Sequence, residues 1–155
     1  MDKQMTTIRP ILEKEVPMSI LLHADPSEKC IDQYLPGSKC FGAFVDDSLA
    51  GVCVANTNEA GVWEIFNIAV IPEKQKQGIG KRLLDFVLRY FENIGEKSIE
   101  LGTGTFGYQL LFYQRFGFRV ESIRKNFFVD HYSDPIYEDG VQPATQGHAQ
   151  VTPQF

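Results

Sequence analysis

The stretch that most restricts the fold is a run of strand-forming residues, a glycine turn and a long amphipathic segment, in that order. Val62–Ile71 is dense in Val, Ile, Phe and Trp and ends at Pro72, as a β-strand does. From Ile79 the apolar residues Ile79, Leu83, Phe86, Val87, Tyr90 and Ile94 recur at intervals that only a helix aligns, and Gly95 is its natural stop. Between them lies Gln75-Lys76-Gln77-Gly78-Ile79-Gly80. A strand, glycine loop and helix start of this kind presents unpaired backbone N–H groups and the positive end of the helix dipole to an anion. A diphosphate is a natural guest, and Lys76 and Lys81 add positive charge beside it. A tight turn that binds nothing explains the loop equally well at this point.

Composition removes other classes. The 155 residues, 43% hydrophobic and 23% charged, suit one ordinary globular domain and exclude a two-domain enzyme. With a net charge of −5 and scattered Lys and Arg, no basic stripe is available to neutralise nucleic-acid phosphates. No apolar run approaches the roughly 20 residues of a membrane span, and Met1–Arg9 lacks a hydrophobic leader core. The expectation is a cytoplasmic protein with neither nucleic acid nor membrane as a partner. The three cysteines, Cys30, Cys40 and Cys53, have neither even number nor metal-ligand spacing, so no disulfide framework and no metal are expected.

Thr6–Ile11 reads as an opening strand, and Leu12–Leu22 as helical content interrupted by Pro17. Ser27–Leu35 reads as a helix behind the caps Asp25 and Ser27. Cys40–Val45 and Ala50–Ala55 read as a hairpin about Asp46-Asp47-Ser48. Lys97–Leu101 is a short strand, Tyr108–Phe116 a short helix and Phe118–Val129 an alternating strand. Residues 1–140 are expected to form the domain. The stretch 141–155, within a region devoid of Lys and Arg, offers few apolar anchors and is expected to be a loosely held tail.

A second glycine-rich stretch, Gly102-Thr103-Gly104-Thr105-Phe106-Gly107, matches the G-x-G-x-x-G dinucleotide pattern. That fingerprint needs a βαβαβ series behind it, and too few residues follow to build one.

The stretch Val62–Phe118 as a whole resembles the GCN5-related N-acetyltransferase (GNAT) superfamily. The resemblance rests on Trp63–Pro72, on Gln75–Gly80, which fits the family's [RQ]-x-x-G-x-[GA] acyl-CoA loop, and on Leu111-Phe112-Tyr113-Gln114-Arg115-Phe116-Gly117-Phe118, which fits its L-Y-x-x-x-G-F helix. It implies an α/β fold with a mixed, mainly antiparallel six- to seven-stranded sheet and helices on both faces. It also implies transfer of an acetyl group from acetyl-CoA to a primary amine of a small molecule or peptide, by direct attack in a ternary complex. The alternative is a non-catalytic acyl-CoA-binding sensor. A homodimer stays open.

By the same resemblance the cofactor would lie on Ile68, Ala69 and Val70, on Gln75, Lys76, Gln77, Gly78, Ile79, Gly80 and Lys81, and near Thr103 and Thr105, which stand where the family often carries an Asn. An alkylammonium of pKa ~10.4 must lose a proton before attacking a thioester, so a base is required. Glu64, alone in an apolar strand where burial would favour its protonated form, is the first candidate and Glu100 the second. Each could instead be an ordinary surface or ion-paired carboxylate. Tyr113 is the candidate acid for the departing thiolate, with a core-packing role as the alternative. Asn67 lines the acceptor site or hydrogen-bonds a strand bulge, and Asp25, Asp32, Tyr34 and Phe66 would suit a cationic amine.

Overall fold

The computed structural model describes residues 5–96, 98–104, 118–124 and 148–153. The chain divides into two units, Met1–Gly95 and Glu96–Phe155. The class is the expected one, a mixed α/β fold whose strand pairs are mainly antiparallel.

In the first unit four strands run antiparallel in chain order: β1 (Thr6–Ile11), β2 (Lys39–Val45), β3 (Ser48–Thr57) and β4 (Trp63–Val70). The β2–β3 hairpin closes through Asp46 and Asp47, both at positive φ, the two-residue turn that follows the twist of the flanking strands. β1 alternates in exposure and carries Pro10, as an edge strand tolerates. β2 and β3 are buried almost continuously because both faces are covered.

Side-chain alternation sorts the two layers. Cys40, Val52, Val54 and Ala69 pack with Leu21, Ile31 and Tyr34 from the helices α1 (Met18–Leu21) and α2 (Glu28–Tyr34). On the opposite face Phe41 meets Phe86, Tyr90 and Phe91 of α3 (Ile79–Asn93) edge to face, with centroids 5.1–6.1 Å apart. Pro17 separates a 3-10 turn at Glu13–Glu15 from α1, and the Ser27 hydroxyl caps α2 by accepting from the Cys30 N–H at 3.1 Å.

The helix over 79–94 forms as expected, but its buried face is turned towards Leu84, Leu88 and Phe91. Ile94 is the C-cap, one step past the covered part of the helix, and is 54% exposed. Phe86 and Tyr90 sit at the edge of the buried arc and are half-buried.

The second unit contains β5 (Glu100–Gly104), β6 (Phe118–Arg124) and β7 (His148–Pro153). β7 pairs antiparallel with both β5 and β6. This corrects the expectation of a loosely held tail over 141–155: its described part is a strand with a partner on each side. Backbone hydrogen bonding to two neighbours orders this short, polar segment, and composition carries no trace of it. The helix expected over 108–116 lies outside the described residues. Among the described residues no helix is long and apolar enough to cross a membrane.

Phe41 is fully buried among three aromatic rings, so Phe41→Ala should cost about 3–5 kcal/mol in urea unfolding. Ile94→Ala should stay within about 0.5 kcal/mol of wild type. A large loss at Ile94 would mean that the helix end is covered after all.

Candidate active site

The turn from β4 into α3 begins with a 3-10 turn at Pro72–Lys74. The Gln75 side chain then donates from Nε2 to the Val70 carbonyl at 2.9 Å, and Gln77 donates from Nε2 to the Glu73 carbonyl at 3.1 Å. The side-chain amides of both glutamines thus tie the loop back on itself. Lys76 (φ 62°) and Gly78 (φ 83°) are both left-handed, two residues apart. At Gly78, the N-cap of α3, that conformation favours glycine, and no side chain caps the helix.

Among the described residues, none of the backbone N–H groups of Lys76, Gln77, Gly78, Ile79, Gly80 and Lys81 donates to a protein acceptor; intrahelical bonding resumes with Arg82 N–H to the Gly78 carbonyl at 3.1 Å. The first turn of α3 contains no acid, while Lys74, Lys76, Lys81 and Arg82 lie along this stretch. Alternation of left-handed residues with others makes successive N–H groups converge, and the helix dipole adds to their positive field. The loop residues Gln75–Gly78 are exposed. The arrangement fits a diphosphate.

The second group of residues lies along β4. Val54 pairs with Asn67 and Ala55 with Ile65, so Phe66 is an extra residue without a partner, a β-bulge. Trp63 meets Phe91 of α3 at 5.0 Å, which places Glu64 on the opposite face, that of α1 and α2. Beyond the bulge Phe66 stacks on Tyr34 (5.1 Å, 11°), Asn67 bonds to the same tyrosine, and Ala69 joins the same cluster. Glu64, Phe66, Asn67 and Ala69 therefore share one face.

Glu64 is 9% exposed and accepts from Asn58 Nδ2 at 3.1 Å. Asn58 is held in turn by the β3–β4 connection: its Oδ1 accepts from the Ala60 and Val62 N–H groups at 3.0 and 3.2 Å. Sequence reasoning selected Glu64 but missed Asn58, whose only signal was its place in a polar turn.

Three elements meet at Tyr34. Its hydroxyl donates to Asp25 Oδ2 at 3.0 Å and accepts from Asn67 Nδ2 at 3.0 Å, and Asn67 Nδ2 also donates to the Leu21 carbonyl at 3.0 Å. Asp25 Oδ1 accepts from the Ser27 N–H at 3.0 Å. Burial, with the Asp25 charge adding to it, pushes the Tyr34 hydroxyl far above the ordinary phenol range, so it stays protonated. Of the four residues expected to suit a cationic amine, Asp25, Tyr34 and Phe66 come together, whereas Asp32 is exposed.

The remaining candidates are distributed as follows. Glu100 is half-buried in β5, and Thr103 lies in the same strand opposite Ala149. Gly102 and Gly104 are also strand residues, paired with Gln150 and His148, whereas a dinucleotide fingerprint places its glycines in the turn after a strand. Thr105 and Tyr113 lie outside the described residues. Cys40 and Cys53 are buried and burial pushes both thiols up, so neither is a poised thiolate.

The family model described as Acetyltransferase (GNAT) family matches residues 7–118. An uncharacterised N-acetyltransferase of Bacillus subtilis (strain 168), YvbK, is 41% identical over 124 residues, 79% of this chain and 80% of the relative. An IAA acetyltransferase from Bacillus cereus ATCC 14579 superposes with TM-score 0.88 at 34% identity, over 97% of this chain and all of that one. A GNAT family acetyltransferase from Elizabethkingia anophelis with acetyl-CoA bound gives 0.87 at 38% identity, over 97% and 98%. The chain belongs to the GNAT acetyltransferase family. It is an acyltransferase.

Because Tyr34 is held protonated in the fold, its pKa is raised above the unfolded value near 10. Its contribution to stability is complete below pH ~10 and is lost as pH rises further, when the unfolded chain alone ionises. Thermal unfolding from pH 8 to 11 should therefore fall less steeply for Tyr34→Phe than for wild type. Equal slopes would show that Tyr34 ionises as freely in the fold as out of it.

Proposed function

We propose that this enzyme transfers the acetyl group of acetyl-CoA to a primary amine of a small molecule or peptide, by direct attack in a ternary complex. The observation that carries the reading is the run of six N–H groups at Lys76–Lys81 without an acceptor among the described residues, at the basic start of α3. The acetyl-CoA in the Elizabethkingia anophelis neighbour supports the choice of that anion. On this reading the pyrophosphate lies on the amides of Gln77–Lys81, and Gln75 acts by bracing the loop through Val70. Backbone N–H groups within Ile68, Ala69 and Val70 polarise the thioester carbonyl. The family resemblance assigns Thr103 and Thr105 to cofactor binding.

The attacking amine arrives protonated. Glu64, buried on the α1–α2 face of β4 and oriented by Asn58, is the base that removes its proton, directly or through water. Glu100 is the second candidate. Tyr113 returns a proton to the CoA thiolate. The displaced electron pair leaves with sulfur, so no covalent enzyme intermediate is needed, and the protonated state of Cys40 and Cys53 agrees with that.

Gly78→Asp should abolish acetyl-CoA binding in calorimetry, because it places a side chain on a left-handed residue and a negative charge at the anion site. Unchanged affinity would remove the assignment.

Glu64→Gln should lower kcat with little change in the acetyl-CoA KM, and its rate should recover as pH approaches ~10, where free amine needs no base. Tyr113→Phe should lose kcat at every pH. A pH-recoverable defect in Glu100→Gln with Glu64→Gln unaffected would transfer the role of base to Glu100.

A further inference from the structure

The outer flank of α3 has only an edge strand beneath it. Leu83, Leu84, Val87, Leu88 and Phe91 are the buried arc of the helix, whereas Arg82, Asp85, Phe86 and Arg89, spaced i, i+3, i+4 and i+7, form a separate stripe beside β1. Between that stripe and Ile8 of β1 lies a cleft of about 340 Å³. Its size is that of a small-molecule site, near the lower end of the range of roughly 300–1,000 Å³.

The lining divides by chemistry. Ile8 and Phe86 are half-buried and supply an apolar floor, and the Phe86 ring is held by an edge-to-face contact with Phe41 at 6.1 Å. Two guanidiniums stand over that floor. Arg89 donates from Nε to Asp85 Oδ2 at 3.0 Å, an exposed pair that adds little stability but orients the group. The bond leaves the two Nη groups, the broad fork of the guanidinium, for another acceptor. Arg82 reaches from the helix to the edge strand, where Nη2 donates to the Thr6 carbonyl at 3.4 Å. That is long for an N–H···O bond, and a carboxylate offers Arg82 a shorter, charge-assisted one. Two arginines against one aspartate leave the cleft with a net charge of +1, in a chain whose own net charge is −5.

We propose that this cleft binds a small organic monoanion, a carboxylate whose flat apolar body lies on Ile8 and Phe86 and whose oxygens are taken by Arg82 and Arg89. Charge and shape each exclude alternatives. A cation meets two guanidiniums, and a free inorganic anion leaves the apolar floor uncovered. The cleft is separate from the turn proposed to hold acetyl-CoA. β2 and β3 lie between β1 and β4, the strand that leads into that turn, and successive residues of a helix point about 100° apart, so Arg82 does not share the direction of Lys81. The proposal does not depend on the acetyl-transfer reaction, and it gives the protein a ligand besides its cofactor and acceptor.

The test titrates the full chain, with 13C in its isoleucine methyls and 15N in its arginine side chains, with benzoate, with the neutral isostere benzamide and with inorganic phosphate. Benzoate should shift the Ile8 methyl and Arg89 Nε–H resonances saturably, while benzamide and phosphate bind about tenfold more weakly or worse. Arg89→Gln should weaken benzoate binding roughly tenfold; Arg89→Lys, which keeps the charge but not the fork, should weaken it about threefold and serves as the second variant if Arg89→Gln fails to fold. Saturation with CoA should leave the benzoate affinity within about twofold. An Ile8 methyl that benzoate does not move, benzamide or phosphate binding as tightly as benzoate, or an Arg89→Gln variant that binds benzoate like wild type would overturn the proposal. Displacement of benzoate by CoA would overturn it as well, by assigning the cleft to the cofactor.

Discussion

One extra residue in β4 determines which side chains can act together. Trp63 faces α3, and in a regular strand Ile65, Asn67 and Ala69 would follow it there. The bulge at Phe66 reverses the alternation, so Asn67 and Ala69 join Glu64 beneath α1 and α2. Adjacent residues Phe66 and Asn67 both reach Tyr34, which an unbulged strand forbids. A carboxylate and a carboxamide are thus brought to one face of one strand, on a scaffold buried on both sides. A bulge is a means of aiming side chains, and here it aims two polar groups that a pleat would have separated.

The same strand continues into the anion-receptive turn. Val70 ends β4, and Gln75 closes onto its carbonyl before the chain enters α3. The exposed loop is therefore bonded to the strand that carries Glu64. Packing reinforces the connection, since Ile79, Leu83 and Leu84 at the start of α3 are buried. The loop gains rigidity from the helix behind it, and its N–H groups are ordered by the fold before any ligand arrives. Preorganised donors of this kind gain more from an anion than donors that must first be ordered.

Much of this was legible in the sequence because it depends on local chemistry. The β4 strand, its stop at Pro72, the glycine turn and a helix that stops short of Gly95 follow from residues within a few positions of one another. The Asp46-Asp47 hairpin and the Ser27 cap do as well. What escaped depends on pairing at a distance. A bulge at Asn67 is one of two readings that the sequence leaves open, and it is decided only by Val54 and Ala55 across the sheet, while the Asn67–Tyr34 bond joins residues 33 positions apart. β7 is a strand because β5 and β6 accept it on either side, although His148–Pro153 is short and polar. The face of α3 was displaced for a related reason: Ile94 continues the apolar stripe in sequence, but the helix has already ended at Asn93.

Among the described residues two carboxylates are buried, Asp25 and Glu64, and they differ in what holds them. Asp25 accepts at both oxygens, from the Ser27 N–H and the Tyr34 O–H, so each atom that could receive a substrate proton is already engaged. It is held at both atoms and in turn holds the Tyr34 hydroxyl in place. Glu64 accepts from the amide of Asn58, a neutral donor placed by a turn, and carries its carboxylate on the strand that leads to the glycine turn at the start of α3. On the function proposed above, Glu64 is the base because of its place on β4, while Asp25 serves the fold by tying the start of α2 to Tyr34.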